Sequence, residues 1–137
     1  AYKRVLQVDG DDVQLDILDT AGQDDFAPMR NSLMRQGKGF ILVYAIDDRQ
    51  SFEEVEVFHR DLTRVKGTYD IPIVICGNKC DLEDKRVVSK AEGEELASKL
   101  NATFYETSAL ANINIEKAFT ELARKIRAQE ASTTDVK

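Results

Sequence analysis

Two short, almost uninterrupted runs of apolar residues constrain the fold of this chain most strongly. They span residues 40–46 and 71–76 and are rich in β-branched side chains. Runs of this length are typical of strands that are covered on both faces, as in a parallel sheet. A further short strand is predicted at residues 103–106. The sequence therefore predicts a sheet with a core on each side.

Amphipathic helices are predicted between and after these strands. Capping-box patterns at Ser51–Glu54 and Ser89–Glu92 predict where two of the helices begin. The apolar stripes of the first and last helices are Val55, Phe58, Leu62 and Val65, and Ile115, Phe119, Leu122 and Ile126. This strand–helix alternation predicts the α/β class, as a doubly wound, mostly parallel sheet with flanking helices and right-handed crossovers.

The amino-terminal segment is predicted to form a β-hairpin. Asp9-Gly10-Asp11 is a strong tight-turn signal between two apolar patterns. Apolar residues alternate along the second arm as far as Ile17, and Leu18 then breaks the alternation. We therefore expect the second arm to enter a buried sheet.

Composition excludes several classes of protein. The 137 residues carry 25 acidic and 19 basic side chains, a net charge of −6. This charge disfavours general binding to nucleic acid, and no apolar run approaches the roughly 18 residues of a membrane span. Two cysteines and one histidine are too few for a closed zinc site. We expect a soluble intracellular protein with one domain over residues 1–130 and a polar flexible tail at 131–137.

Polar segments follow three of the predicted strands, at residues 19–23, 77–81 and 106–110. In open α/β sheets ligands bind beyond the carboxyl ends of the strands, so these segments are predicted to converge on one edge. Each motif alone is also compatible with an ordinary loop. Their order along the chain, each behind a predicted strand, favours a single site.

The residue types in these segments suit a guanine nucleotide. Asp19 is a suitable carboxylate for hydrated Mg²⁺, and Gly22 allows its amide to approach a phosphate closely. The side-chain amide of Gln23 can orient a water molecule. Asp81 can accept two hydrogen bonds from the adjacent N–H and NH₂ groups of guanine, an edge that adenine lacks.

The chain resembles the Ras-type small GTPases from Ala1 to about Gln129. Residues 15–26 are similar to the segment that leads from a strand into switch II, and residues 77–82 to the guanine-specificity loop. Residues 106–109 are similar to the last base-contacting loop of that family.

The resemblance implies a role for each matching position. Asp19 would hold Mg²⁺ through water, the Gly22 amide would meet the γ-phosphate, and Gln23 would be the catalytic residue that positions the attacking water. The base would be held by Asn78, Lys79, Asp81, Leu82, Ser108, Ala109 and Leu110. Leu110 stands where the family usually has lysine.

The sequence also departs from the family pattern. It contains no G-x-x-x-x-G-K-[ST] motif and begins where the family's second strand begins. The resemblance therefore implies an amino-terminally truncated G domain of the P-loop NTPase type. Since the family's first strand is central in the sheet, we expect its absence to leave two buried strands without a neighbour.

Two hypotheses for function follow. In the first, the chain belongs to a Ras-family switch that binds GTP or GDP with Mg²⁺, hydrolyses GTP slowly, and meets effectors, exchange factors and GTPase-activating proteins. It would lie in the cytoplasm or on the cytoplasmic face of the plasma membrane, although this chain carries no lipidation motif. In the alternative, a truncated or degenerate G domain serves as a nucleotide-independent protein-interaction module, presenting residues 1–8 and the switch II surface.

Overall fold

The structure is a computed structural model that describes residues 2–8, 10–19, 32, 34–79, 83–108 and 113–135. The strands in these residues are β1 (Tyr2–Val8), β2 (Asp11–Asp19), β3 (Phe40–Ala45), β4 (Ile73–Asn78) and β5 (Thr103–Glu106). The long helices are α1 (Arg49–Lys66), α2 (Lys90–Lys99) and α3 (Ile115–Asp135), and a short 3₁₀ helix spans Glu83–Lys85.

The five strands form one sheet in the order β1-β2-β3-β4-β5. The strands β1 and β2 are antiparallel, as the hairpin prediction requires, and the strands β2, β3, β4 and β5 are parallel to one another. Gly10 has a φ of 86°, a backbone conformation that glycine adopts without steric penalty, and lies in the turn of the hairpin. The predicted α/β fold with a mostly parallel sheet is confirmed.

The strands β2 and β3 pair directly with each other. Ile17 is opposite Ile41 and Leu18 is opposite Leu42, and the Asp16 N–H donates to the Gly39 carbonyl at 3.2 Å. The expectation that two buried strands would lack a neighbour is therefore wrong for this chain. The physical reason is that each of these strands offers unpaired backbone groups along one edge, and parallel pairing satisfies both edges.

The sheet has a core on each face because alternate residues of every strand point to opposite sides. Leu18 belongs to one core and Ile17 to the other, which explains the break in alternation seen in the sequence. On one face α1 and α2 cover the sheet through Val55, Phe58, Leu62, Leu96 and Ala97. On the other face α3 covers it through Ala118, Leu122, Ala123 and Ile126.

The start of α1 differs from the predicted capping box. The N-cap is Asp48, whose side chain accepts from the amides of Gln50 and Ser51 at 3.1 and 3.3 Å. Ser51 is buried, and its hydroxyl accepts from the Ala45 N–H at 3.0 Å and donates to the Asp48 carbonyl at 2.7 Å. Ser51 therefore joins the first turn of α1 to the carboxyl end of β3, and the box predicted at Ser51–Glu54 is wrong.

The capping box predicted at the start of α2 is confirmed. The Ser89 hydroxyl accepts from the Glu92 N–H, and the Glu92 carboxylate accepts from the Ser89 N–H. Arg49 of α1 also donates to Glu92, and to the carbonyl of Val87 at 2.7 Å. The Arg49 hydrogen bond and the Ser89 backbone bond lower the pKa of Glu92 to about 2.

This shift predicts a pH-dependent contribution of Glu92 to stability. Because the folded-state pKa lies below the unfolded value, the contribution is complete at neutral pH and disappears as the pH falls from about 4.5 toward 2. We expect Glu92→Gln to unfold more easily than the parent chain at pH 6, with the difference shrinking through that window. Urea unfolding at each pH measures the difference in unfolding free energy between the variant and the parent chain. Glu95→Gln, which lies beyond the first turn of α2, is the control and should not show this pH dependence. A difference independent of pH would contradict the assignment.

The last helix is longer than the sequence suggested. Leu122 and Ile126 are buried as predicted, and Phe119 packs against the same core. The backbone of α3 continues through Asp135, so it includes residues 131–135, which the sequence assigned to a tail. Within the described residues, no helix combines the length and apolarity needed to cross a membrane.

Candidate functional site at the carboxyl ends of the strands

The carboxyl ends of β3, β4 and β5 meet at one edge of the sheet. Ala45 is opposite Asn78, and Gly77 is opposite Glu106. Backbone bonds extend this pairing past the strand ends, because Ile46 N–H donates to the Asn78 carbonyl at 3.0 Å and Thr107 N–H donates to the Gly77 carbonyl at 2.8 Å. The segments that follow β4 and β5 therefore leave the sheet side by side.

Asp19 is the last residue of β2 and lies at the same edge. Its backbone pairs with Val43, in the row of the sheet that also contains Cys76 and Tyr105. Since neighbouring strands lie about 4.8 Å apart, Asp19 is about 10 Å from β4 across the sheet. The backbone register thus brings Asp19 to the same side of the molecule as the residues that follow β4 and β5.

Asn78 has a fixed orientation at the end of β4. Its side-chain oxygen accepts from the Thr107 hydroxyl at 3.2 Å, and the residue is half-buried. This bond uses the side-chain oxygen of Asn78. The NH₂ group of the same amide carries two donors and points away from Thr107. Thr107 is a contributor that the sequence did not single out, although it lies within a predicted segment.

Lys79 follows in a left-handed conformation, with a φ of 67°. Non-glycine residues are uncommon in this region and concentrate at functional sites and turns. Its ammonium lies 3.9 Å from a carboxylate oxygen of Asp47, beyond hydrogen-bond distance, so the contact is electrostatic. The side chain of Lys79 is 49% exposed, so it is accessible to a ligand at this edge.

Ser108, two residues after the end of β5, is fully buried. Its backbone forms an antiparallel bridge with Ile113, with N–H to carbonyl distances of 3.1 and 2.9 Å. The Asn114 side chain donates to the Glu106 carbonyl at 2.8 Å. These bonds hold Ser108, Ile113 and Asn114 next to the end of β5.

Four predicted site residues thus share one edge: Asn78, Lys79 and Ser108 by their described positions, and Asp19 by backbone register. The other predicted site residues are Gly22, Gln23, Asp81, Leu82, Ala109 and Leu110, and they lie outside the described residues. Among the described residues, no group of three or more His, Cys, Asp or Glu side chains is arranged to hold a metal. The individual roles remain predictions.

Comparison with known proteins identifies the family. A family model described as Ras family matches residues 1–128 of this chain. The chain belongs to the Ras family. Over 127 residues, or 93% of its length, it is 50% identical to a Ras-like protein of Laccaria bicolor and to Ras-like protein rasS of Dictyostelium discoideum. It covers 61% and 66% of those two relatives, so the chain spans less than two thirds of their length.

A more distant relative gives the same result. Ras-like protein RAS2 of Hydra vulgaris is 46% identical over 127 residues, of which this chain covers 66%. The observed α/β fold agrees with a Ras-type G domain. Family membership places the chain among Ras-family proteins and does not favour the interaction module as its primary function.

A partly buried ion pair between Arg86 and Glu106 lies beside the site of this Ras-family chain, and the sequence did not predict it. The Arg86 guanidinium donates to both carboxylate oxygens of Glu106 at 2.6 and 2.8 Å, and to Glu83 at 2.8–3.0 Å. These bonds raise the pKa of Arg86, and Arg86 lowers the pKa of Glu83. The i, i+3 spacing of Glu83 and Arg86 is visible in the sequence, but the pairing with Glu106 is not.

Gly77 is required by close packing at the end of β4. A β-carbon there would lie 2.7 Å from the hydroxyl oxygen of Tyr44 on the neighbouring strand. That hydroxyl is buried, has no hydrogen-bond partner among the described residues, and its pKa is raised chiefly by burial. The glycine that begins the predicted guanine loop therefore also fits against the core.

Proposed function

We propose that this Ras-family chain binds GTP and GDP at the carboxyl edge of its sheet and acts as a nucleotide-dependent switch that hydrolyses GTP. The observation that supports this best is the joining of the two predicted base loops. Asn78 and Thr107 hydrogen-bond directly, and their backbones continue the pairing of β4 and β5. Two loops of this composition, held together at the edge of a parallel sheet, form a suitable cradle for one base.

Base selection follows from the chemistry of these loops. Asp81 would accept from the N–H and NH₂ groups of guanine, and Asn78 would supply amide donors from its NH₂ group. The Lys79 stem would lie along the ring, next to Leu82. Ser108, Ala109 and Leu110 would complete the pocket, with Ser108 already fixed by its bridge to Ile113.

The phosphate end of the ligand would lie toward β2. Asp19 fits a magnesium site because it is a carboxylate at the carboxyl end of a strand in the same edge as the base loops. Bound magnesium would neutralise charge on the phosphate oxygens. Gly22 would place its amide against the γ-phosphate, and Gln23 would orient the attacking water. An activating protein would supply an arginine in trans.

The partners and location proposed here follow from the family. Exchange factors and activating proteins would control the nucleotide state, and effectors would read it. Edge strand β1 offers unpaired backbone groups to an effector that adds a strand. The protein would act in the cytoplasm or on the cytoplasmic face of the plasma membrane.

Titration with a fluorescent GDP analogue tests the proposal. The fluorescent analogue is titrated into the natural full-length chain in the presence of Mg²⁺. Unlabelled GDP and ADP are then added to compete with the bound analogue. We expect saturable binding that GDP displaces and ADP does not, because adenine lacks the N–H and NH₂ edge that Asp81 would bind. Absence of binding, or equal displacement by the two nucleotides, would contradict the proposal.

A further inference from the structure

We propose that Arg86 is a positioning residue that ties the two guanine loops together, so that they hold and release the base as one unit. This inference rests on the proposed function and assigns part of it to a residue that does not contact the nucleotide. The observation that carries it is the partly buried bridge between Arg86 and Glu106, which joins the segment after residue 82 to the segment before Thr107.

The guanidinium of Arg86 is fully engaged. Its Nε donates to both oxygens of Glu83, its Nη2 to Glu83 and Glu106, and its Nη1 to Glu106 and to the Val88 carbonyl at 2.9 Å. The bonds to Glu106 are bidentate, the geometry that gives an arginine–carboxylate pair its strength and direction. Arg86 therefore contacts two segments that lie 20 residues apart in sequence.

Burial distinguishes the two carboxylates. The side chains of Arg86 and Glu106 are 16% and 13% exposed, whereas that of Glu83 is 71% exposed. Removing one partner of a bridge that is shielded from water leaves the other charge uncompensated and is disruptive, while an exposed bridge contributes little. The Glu106 bond, and not the Glu83 bond, is the connection that restrains the loops.

Both ends of this bridge are anchored to the sheet. The amides of Val87 and Val88, next to Arg86, donate to the Ile46 carbonyl at 2.8 and 3.0 Å. Glu106 is the last residue of β5 and directly precedes Thr107, the hydrogen-bond partner of Asn78. A shift of residues 83–88, which follow the segment with Asp81, is thereby coupled to Thr107 and Ser108.

Nucleotide release and base discrimination test this role. In the natural full-length chain, we expect Arg86→Ala to accelerate GDP dissociation by about 10- to 100-fold, the range known for outer residues that orient metal ligands. Discrimination between GDP and inosine diphosphate, which lacks the 2-amino group, should fall as well. Arg86→Lys keeps the charge without the bidentate fork and should show a smaller change in the same direction.

Two controls separate positioning from general stability. Leu62→Ala removes a buried side chain of α1, so it destabilises the fold and should leave the ratio of GDP to inosine diphosphate affinities unchanged. Glu83→Ala removes only the exposed carboxylate and should leave GDP release unchanged.

The outcomes are distinct. Faster release with reduced discrimination in Arg86→Ala, and a smaller change in the same direction in Arg86→Lys, but not in the two controls, support the inference. Unchanged release in either Arg86 variant, or equal changes in Leu62→Ala, overturns it while leaving the proposed function intact. If the parent chain does not bind GDP, both proposals fail.

Discussion

An Asp81→Asn variant is expected to bind GDP about 10⁴-fold more weakly than the parent chain, the range by which a site built around hydrogen bonds rejects a mismatched partner. The carboxylate offers two acceptors to the N–H and NH₂ groups of guanine. The asparagine amide replaces one acceptor with a donor, which would oppose the NH₂ group. Binding is measured by competition against a fluorescent GDP analogue.

The same substitution should create a new preference. Xanthine carries an oxygen where guanine has its NH₂ group, so the asparagine NH₂ can donate to it while the amide oxygen accepts from the ring N–H. We expect the variant to prefer xanthosine diphosphate over GDP. Asp84→Asn, at an exposed position three residues later, is the matched control and should retain guanine preference. Guanine preference unchanged in Asp81→Asn would contradict the assigned role.

A Phe40→Ala variant is expected to lose about 3–5 kcal/mol of unfolding free energy, the usual effect of removing a buried aromatic ring. Phe40 is the first residue of β3, is fully buried, and pairs in register with Asp16 on one side and Ile73 on the other. The ammonium of Lys66 lies 5.8 Å from the ring centroid and would lose this contact too. The cavity left by the ring would lie beneath β3, the strand that pairs with β2 on one side and with β4 on the other.

Urea unfolding followed by circular dichroism measures this loss. Tyr69→Ala removes an aromatic ring that is 83% exposed and should change stability by less than about 0.5 kcal/mol. Comparable losses in the two variants would show that the ring of Phe40 does not contribute through burial.

The strands and the hairpin could be predicted from the sequence because their signals are local. The apolar runs indicate β3 and β4, the turn at Gly10 indicates the hairpin, and each depends on neighbouring residues alone. Helix faces were predictable for the same reason, since apolar residues at helical spacing must find a core.

Details that depend on competition between residues were not predictable. Asp48 and Ser51 are both good N-cap residues, and the choice between them depends on the buried Ala45 amide, which needs the Ser51 hydroxyl. The pairing of β2 with β3 likewise depends on which strand edges meet. Sequence periodicity does not contain that information.

The candidate site was predictable in position, but its support was not. Asn78 ends β4 and Ser108 follows β5, and the pairing of these two strands places their ends at the same edge, which the rule for parallel sheets anticipates. The partners that hold them, Thr107 and the Arg86–Glu106 pair, involve contacts between residues far apart in sequence. Only the folded structure shows such contacts.

Strand order in the described sheet follows chain order, and this has a consequence for how that part of the chain folds. Each of the strands β2 to β5 pairs with the strand that precedes it in sequence, so each pairing closes only the connection between those two strands. The entropy lost in closing a connection grows with its length. We therefore expect the β1–β2 hairpin, which has the shortest connection among the described strands, to pair before the parallel strands do.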